Sequence, residues 1–388
     1  MKNSVILPSA LQLCVDDIGW FFGRDDRLNG RPSRTGIPRK HHPLDYEILN
    51  DLGKAIDQKI MCPICLAEWD KDNILRGKPG FTYEPDTWDC ASVIDMPSAQ
   101  KCFENIEKSD YIELAIHGNL HGNYDENGRQ ITEMEYFEYK NGSKLLTTQS
   151  EDEILYRLDI FKQLYNSWGF TKQIRSFCAP NGIPKHLTNE DLLPLAKALR
   201  KHGVKYWTSR WKKTVCDTVF YDGIVYMEKN VNFGVPWDAY DFDPEYMKDF
   251  AKEGDEVIGD VLGMHWPNFL HFQPENNYKA LGGWVKYFKK QSEIFGLMLS
   301  KDIEFSSIQH VYRRFSKLSF SDNKITIDLT DALNKPTDCL NGQFYISIKN
   351  GITPVSIVGG MIEPYETHNE FKTYKITHTS DIVEITTK

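Results

Sequence analysis

Two apolar runs decide the reading: Leu11-Gln12-Leu13-Cys14-Val15-Asp16-Asp17, and Tyr111-Ile112-Glu113-Leu114-Ala115-Ile116-His117-Gly118-Asn119-Leu120-His121. The first closes on two carboxylates and the second on two imidazoles spaced four residues apart. Short apolar runs bounded by turn residues read as buried strands. In an α/β barrel all strands end at one mouth, so a carboxylate and two imidazoles from separate strand ends can meet there around a metal.

Alternating strand-like and helical stretches continue outward from these runs to about residue 315. The spacing predicts helices over 44–58, 96–108, 151–168, 189–202, 279–295 and 307–316. Strands are predicted over 59–67, 174–179, 205–208, 257–265 and 303–306, with short strands and loops between 211 and 240. Such alternation argues for parallel βαβ units. Near Lys317 the pattern changes to apolar/polar alternation broken by Asp322-Asn323, Asn341-Gly342 and Asn350-Gly351, with no helical stretch. The expectation is an α/β chain of two parts: a distorted (β/α) barrel over 1–316 and a small antiparallel β-sandwich over 317–388.

The chain has 388 residues and a formal net charge of −9, and it contains no long basic run. A nucleic-acid partner needs a positive footprint, so none is expected. No apolar stretch approaches the roughly 20 residues of a membrane span. The N-terminal apolar segment has no small-x-small cleavage site and runs straight into Asp16-Asp17. The 8 Cys are scattered rather than paired in a framework. Both features lead us to expect a reduced, cytoplasmic protein. Cys62-Pro63-Ile64-Cys65 has a redox-like spacing, but it falls inside a predicted strand and no second pair completes a zinc site.

Either polar motif alone is weak. With 11 His in the chain, about 0.3 His-x-x-x-His spacings arise by chance. An Asp-Asp pair also suits a solvated turn, and paired histidines also suit a hydrogen-bonded helix start. Their order adds information: a carboxylate pair, then a histidine pair, then a late lone histidine. In this the chain resembles the polysaccharide deacetylase superfamily of carbohydrate esterases, over roughly residues 5 to 315. The resemblance implies Asp16 as general base, Asp17, His117 and His121 as metal ligands, and His265 as general acid, with His271 as the fallback. It implies a divalent metal, zinc foremost, with cobalt, nickel or manganese as alternatives.

The departures from that pattern are specific. Gly118 stands where the family carries a hydroxyl residue. Phe177-Cys178-Ala179-Pro180-Asn181-Gly182 keeps the proline and glycine of the third motif but lacks its arginine and aromatic residue, and Arg175 lies too early to replace that arginine. Trp207 and Trp211 are the candidates for a fourth motif. Glu68, Trp69 and Asp70, after the second strand, are expected to line the substrate pocket, with Tyr124, Pro180, Asn181 and Trp266. Tyr124 is the expected region for a backbone N–H donor to an oxyanion. Trp237-Asp238 is a further wall candidate. The stretch from Arg24 to His42 reads either as a cover meeting an acidic substrate or as a solvated loop.

The implied reaction is hydrolysis of a C–N amide bond, with removal of an N-acetyl group from an amino sugar or small glycoside as the leading case. Two other readings stay open. One is a metal-free imidase-type or glycoside hydrolase pairing Asp16 with Glu68 or Asp238. The other is a non-catalytic carbohydrate-binding protein.

Overall fold

The computed structural model describes residues 4–21, 39–210, 220–232, 252–253, 256–257 and 259–388. Arg24 through Arg34, Trp211 and Trp237-Asp238 lie outside the described residues.

A closed parallel barrel is formed by β1 (Ser9–Asp16), β2 (Ile60–Cys65), β3 (Ile112–Gly118), β4 (Ser176–Phe177), β5 (Tyr206–Ser209), β6 (Ile224–Asn232) and β7 (Val261–His265). Each strand pairs with its successor, and β7 closes on β1 with His265 opposite Asp16. A short strand, β8 (Leu297–Leu299), pairs with Ser9 to Leu11, below the part of β1 that β7 uses. The ring is therefore distorted at β1, which has different neighbours along its length.

Side chains alternate across a strand, and β1 exhibits this directly. Leu11, Leu13 and Val15 join the outer apolar layer with Leu49, Leu52 and Ile106 of the surrounding helices. Cys14 points inward, clustering with Met61, Ala115, Cys178, Val225 and Met227. The barrel is a packed core rather than a pore, with buried polar side chains such as Gln12 and Glu113 toward its foot and Asp16 and His117 toward its mouth.

Helices α1 (Pro43–Ile56), α2 (Met96–Lys108), α3 (Glu151–Trp168), α4 (Leu193–Lys201) and α5 (Tyr278–Ser292) pack outside, whereas α6 (Ile303–Phe315) puts Ile303, Ile308 and Val311 into the inward cluster. Helix α3 has well-formed ends. The Ser150 side chain accepts from Glu153 N–H, Glu151, Asp152 and Glu153 occupy the first turn, and Gly169 ends the helix at φ +78°. These groups satisfy orphan N–H donors, complement the helix dipole and supply a left-handed cap.

Residues 303–306, expected as a strand, begin helix α6 instead, because the Asp302 side chain caps Phe305 N–H. The strand lies earlier, at β8. Beyond α6 come β9 (Lys317–Ser321), β10 (Lys324–Asp328), β11 (Gln343–Lys349), β12 (Pro354–Val358), β13 (Gly360–Thr367), β14 (Phe371–His378) and β15 (Ile382–Thr387). They form two antiparallel sheets, in the orders β9-β10-β15-β12 and Val5–Ile6-β11-β14-β13. Strand β13 escaped the sequence reading because Pro364 and a register shift before Glu366 interrupt its alternation. The short helix Thr330–Leu333 was likewise not expected. The N-terminal pair Val5–Ile6 joins β11, and Val5 and Leu7 share an apolar cluster with Ile325, Phe344, Ile346 and Ile385. The C-terminal sheets thus pack on the foot of the barrel, at the end away from Asp16 and His265.

The seven cysteines among the described residues are all unpaired and buried. Cys62 and Cys65 on β2 both belong to the apolar cluster that holds Leu11 and Leu13, and burial pushes both thiols up. No helix among the described residues is long and apolar enough to cross a membrane.

Candidate metal centre

At the C-terminal end of the barrel Asp16 is the last residue of β1, His117 is the sixth residue of β3, and His265 ends β7. Asp17 follows with φ +65°, and His121 closes its loop at φ +52°. These left-handed conformations are costly for side-chain-bearing residues and are typical of functional loops.

One oxygen of Asp17, one nitrogen of His117 and one nitrogen of His121 lie within 4.8 Å of one another, and all three residues are buried. His117 Nε2 is 3.0 Å from Asp17 Oδ1, and His121 Nε2 is 3.5 Å from the same oxygen. His117 Nδ1–H donates to the carbonyl oxygen of Cys178 at 2.8 Å. That bond leaves the lone pair of the neutral ring on Nε2, facing a carboxylate that is also an acceptor. Two acceptors at this distance need a proton or a cation between them.

Burial opposes charge on His117, but its bonds to Asp17 and to Cys178 hold it well above the usual imidazole range. Burial likewise works against the Asp17 carboxylate, yet its bond to His117 and the charges of His121, His117 and His265 hold it well below the carboxylate range. Burial draws His121 down to about 4, which suits a ligand that binds through a neutral ring. Its buried Nδ1 has no partner among the described residues. The donor set of two imidazoles and one carboxylate matches a catalytic zinc-type site with further positions open.

The loop between the two histidines is braced from below. Glu135 is fully buried and accepts from the backbone N–H of Asn119 at 2.9 and 2.8 Å, from Leu120 N–H at 3.2 Å and from Asn119 Nδ2 at 2.9 Å. Pro180, at the end of the third motif, packs beside Gly118.

Asp16 sits in a second, adjoining cluster. Lys229 Nζ is ion-paired with its Oδ2 and donates to Cys178 Sγ at 3.1 Å. The thiols of Cys14 and Cys178 approach Oδ1 at 3.3 and 3.5 Å. Burial raises the Asp16 carboxyl, but the charges of Lys229, His117 and His265 together outweigh it and the pKa falls below the usual range. Burial and the Asp16 charge also raise the Cys178 thiol, while its bond to Cys14 and the Lys229 ammonium draw it down to about 6. Cys14, Asp16 and Cys178 have metal-type donors within 4.8 Å of one another, and the Lys229 ammonium already contacts two of them, Asp16 and Cys178.

Sequence reasoning missed both Lys229 and Glu135. A lysine within the apolar stretch Ile224-Val225-Tyr226-Met227-Glu228-Lys229 was the available signal for the first. Arg175, set aside from the sequence, pairs with Glu113 and Glu304 near the foot of the barrel.

Several expected pocket residues are turned inward. Trp69 is fully buried, donates from Nε1 to Gly19 O at 2.9 Å and packs against Phe21 and Trp168. Asp70 accepts from Ile74 N–H, Leu75 N–H and Trp88 Nε1, so it braces the following loop. Glu68 is buried in the same short turn. Trp266 is buried against Tyr46 and donates to Asp45 O, and Trp207 donates to Ser209. Tyr124 is buried, its hydroxyl donating to Leu120 O and its N–H to Gly80 O. Neither of those Tyr124 donors is left for an oxyanion. Asn181 is exposed and donates to Glu133. His265 stands close enough to act on both carboxylates, whereas the His271 ring folds back on Gln273.

No protein-family model matches the chain, and no curated protein matches it. Among solved structures it is similar to a family 4 carbohydrate esterase from Streptomyces lividans in complex with acetate, at 10% identity and TM-score 0.30, covering 75% of this chain and 92% of that one. It is also similar to a peptidoglycan N-acetylglucosamine deacetylase, at 12% identity and TM-score 0.32, covering 76% and 90%. A family 4 pseudoenzyme from Bacillus anthracis aligns at 13% identity and TM-score 0.34, covering 73% and 62%. At such identities the reading of the site rests on its own geometry.

Proposed function

We propose that the chain is a metal-dependent hydrolase of an amide C–N bond, and that its reaction is removal of an N-acetyl group from an amino sugar or a small glycoside. The observation that carries this reading is the meeting of Asp17, His117 and His121 within 4.8 Å beside a second carboxylate, Asp16, that is ion-paired with Lys229. Asp17, His117 and His121 would hold a divalent ion, which would supply Lewis acidity toward a water and the acyl oxygen.

The chain's own residues supply the rest. Asp16 accepts the proton of the attacking water, which requires the ionised carboxylate that Lys229 favours. His265, across the strand pair from Asp16, protonates the departing amine, a task suited to an imidazole. His117 is held in its ligand tautomer by the Cys178 carbonyl. The two-carboxylate glycosidase reading is weaker, because Glu68 is buried beneath the mouth.

The test is elemental analysis of wild type beside His117→Ala/His121→Ala, followed by an acetate-release screen over N-acetyl sugars. Near-stoichiometric metal and acetate release in wild type alone are the expected result. Metal in neither protein after soaking overturns the reading and favours a metal-free hydrolase or a binding protein.

A further inference from the structure

We infer that Lys229 is the positioning residue for Asp16: its ammonium, brought in from β6, fixes the carboxylate at the mouth of the barrel in the orientation a general base needs. The inference rests on the metal-hydrolase reading for the role of Asp16, but not for the contact itself.

The observations are geometric. Lys229 is 5% exposed and its Nζ meets Asp16 Oδ2 across a sequence separation of 213 residues. Among the described residues, the other Asp16 oxygen is approached by the two thiols at 3.3 and 3.5 Å. Thiols are weak donors, so Lys229 is the strong directional contact on this carboxylate among the described residues. The strand is shaped for this contact. The β6–β7 register shifts between Lys229 and Val231, and bulges of this kind re-aim a side chain near a site. Val225, Met227 and Lys229 occupy alternate positions of β6, and the first two belong to the inward cluster. The lysine therefore stands where the next inward hydrophobe of β6 would be, and its long side chain reaches Asp16.

A buried ammonium is unfavourable without a partner, and a purely structural pair could have been built anywhere in the core. This one ends on the carboxylate adjacent to the Asp17 ligand. Cys178, 3.1 Å from Lys229 Nζ, marks a second route to the same place. A longer cationic side chain grown from position 178 reaches Asp16 from β4 instead of β6.

The experiment compares wild type, Lys229→Met, Lys229→Arg and Lys229→Met/Cys178→Arg, each assayed well below its own thermal midpoint, with metal content measured in parallel. The substrate is the N-acetyl sugar that gives acetate with wild type. In Lys229→Met, kcat is expected to fall roughly 100-fold, the scale of a general base's contribution, with KM and metal content unchanged. Lys229→Arg or the double variant is expected to recover at least about tenfold of that loss. A kcat for Lys229→Met within about threefold of wild type overturns the inference, as does a loss that follows metal content or folded fraction and that neither cation restores.

If wild type holds no metal and releases no acetate, the reading of the site fails by itself. A crystal structure of Lys229→Met then decides the inference separately. A carboxylate that has rotated away from its wild-type orientation supports it, and an unmoved carboxylate overturns it.

Discussion

The carboxylate of Glu135 occupies the space a side chain on Gly118 would need: a Cβ built at position 118 collides with Glu135 Oε2. The glycine that follows His117 is thus more than the loss of a hydroxyl. Glu135 reaches in from another loop and takes the N–H groups that follow, on Asn119 and Leu120. The loop keeps its backbone satisfied by a different acceptor.

Restoring a side chain at this position is therefore expected to harm the protein. Gly118 has φ +134°, a conformation that L side chains rarely adopt. Gly118→Ser should cost about 1–3 kcal/mol by urea denaturation and reduce bound metal, because the loop holding His121 must shift. Unchanged stability and metal content would mean that Glu135 yields without cost.

Metal should stabilise the fold through the three ligands. At a free concentration of 100 times Kd, one site contributes about 2.7 kcal/mol. The thermal midpoint of wild type is expected to rise with added zinc and to fall back with chelator. His117→Ala/His121→Ala should lose that response. An equal rise in the variant would assign the effect to another site.

At the barrel foot, Asp260 receives Ser9 Oγ, His310 Nδ1 and Arg313. Burial opposes its charge, but Arg313 and His310 hold its carboxyl well below the usual range. A carboxyl lowered on folding contributes stability above its unfolded pKa of about 3.9, and loses it as pH falls toward the folded value. Asp260→Asn should cost roughly 3 kcal/mol at pH 7. Denaturation at successively lower pH should narrow the gap between the two proteins progressively once the pH falls below about 4.

Trp69 is expected to behave as core. Its ring packs with Phe21, Tyr46, Trp168 and Phe170. Trp69→Ala should destabilise by about 3–5 kcal/mol. If instead sugar affinity drops while the denaturation midpoint holds, the residue belongs to the pocket after all.

Much was legible in the linear chain because it depends on local pattern. Apolar runs bounded by turn residues marked the barrel strands, and helical spacing gave helix α3 limits that match the structure. Asp16-Asp17 and His117/His121 could be singled out because their polar groups end apolar runs. Residues whose environment depends on packing were misjudged. Trp69, Asp70 and Trp266 follow strand ends, as pocket residues do, but short turns direct them inward. Residues 303–306 have strand-like composition, and the Asp302 cap made them a helix.

What the sequence determined by itself was the period of each element and the chemistry at the strand ends, since both follow from neighbours a few residues apart. Only the tertiary structure decided which charges meet. Lys229 reaches Asp16, and Glu135 fills the place beside Gly118, because closing the barrel and folding its loops bring together inward side chains from distant segments. Those contacts are selected by the cost of burying an unpaired charge or N–H, which no local pattern records.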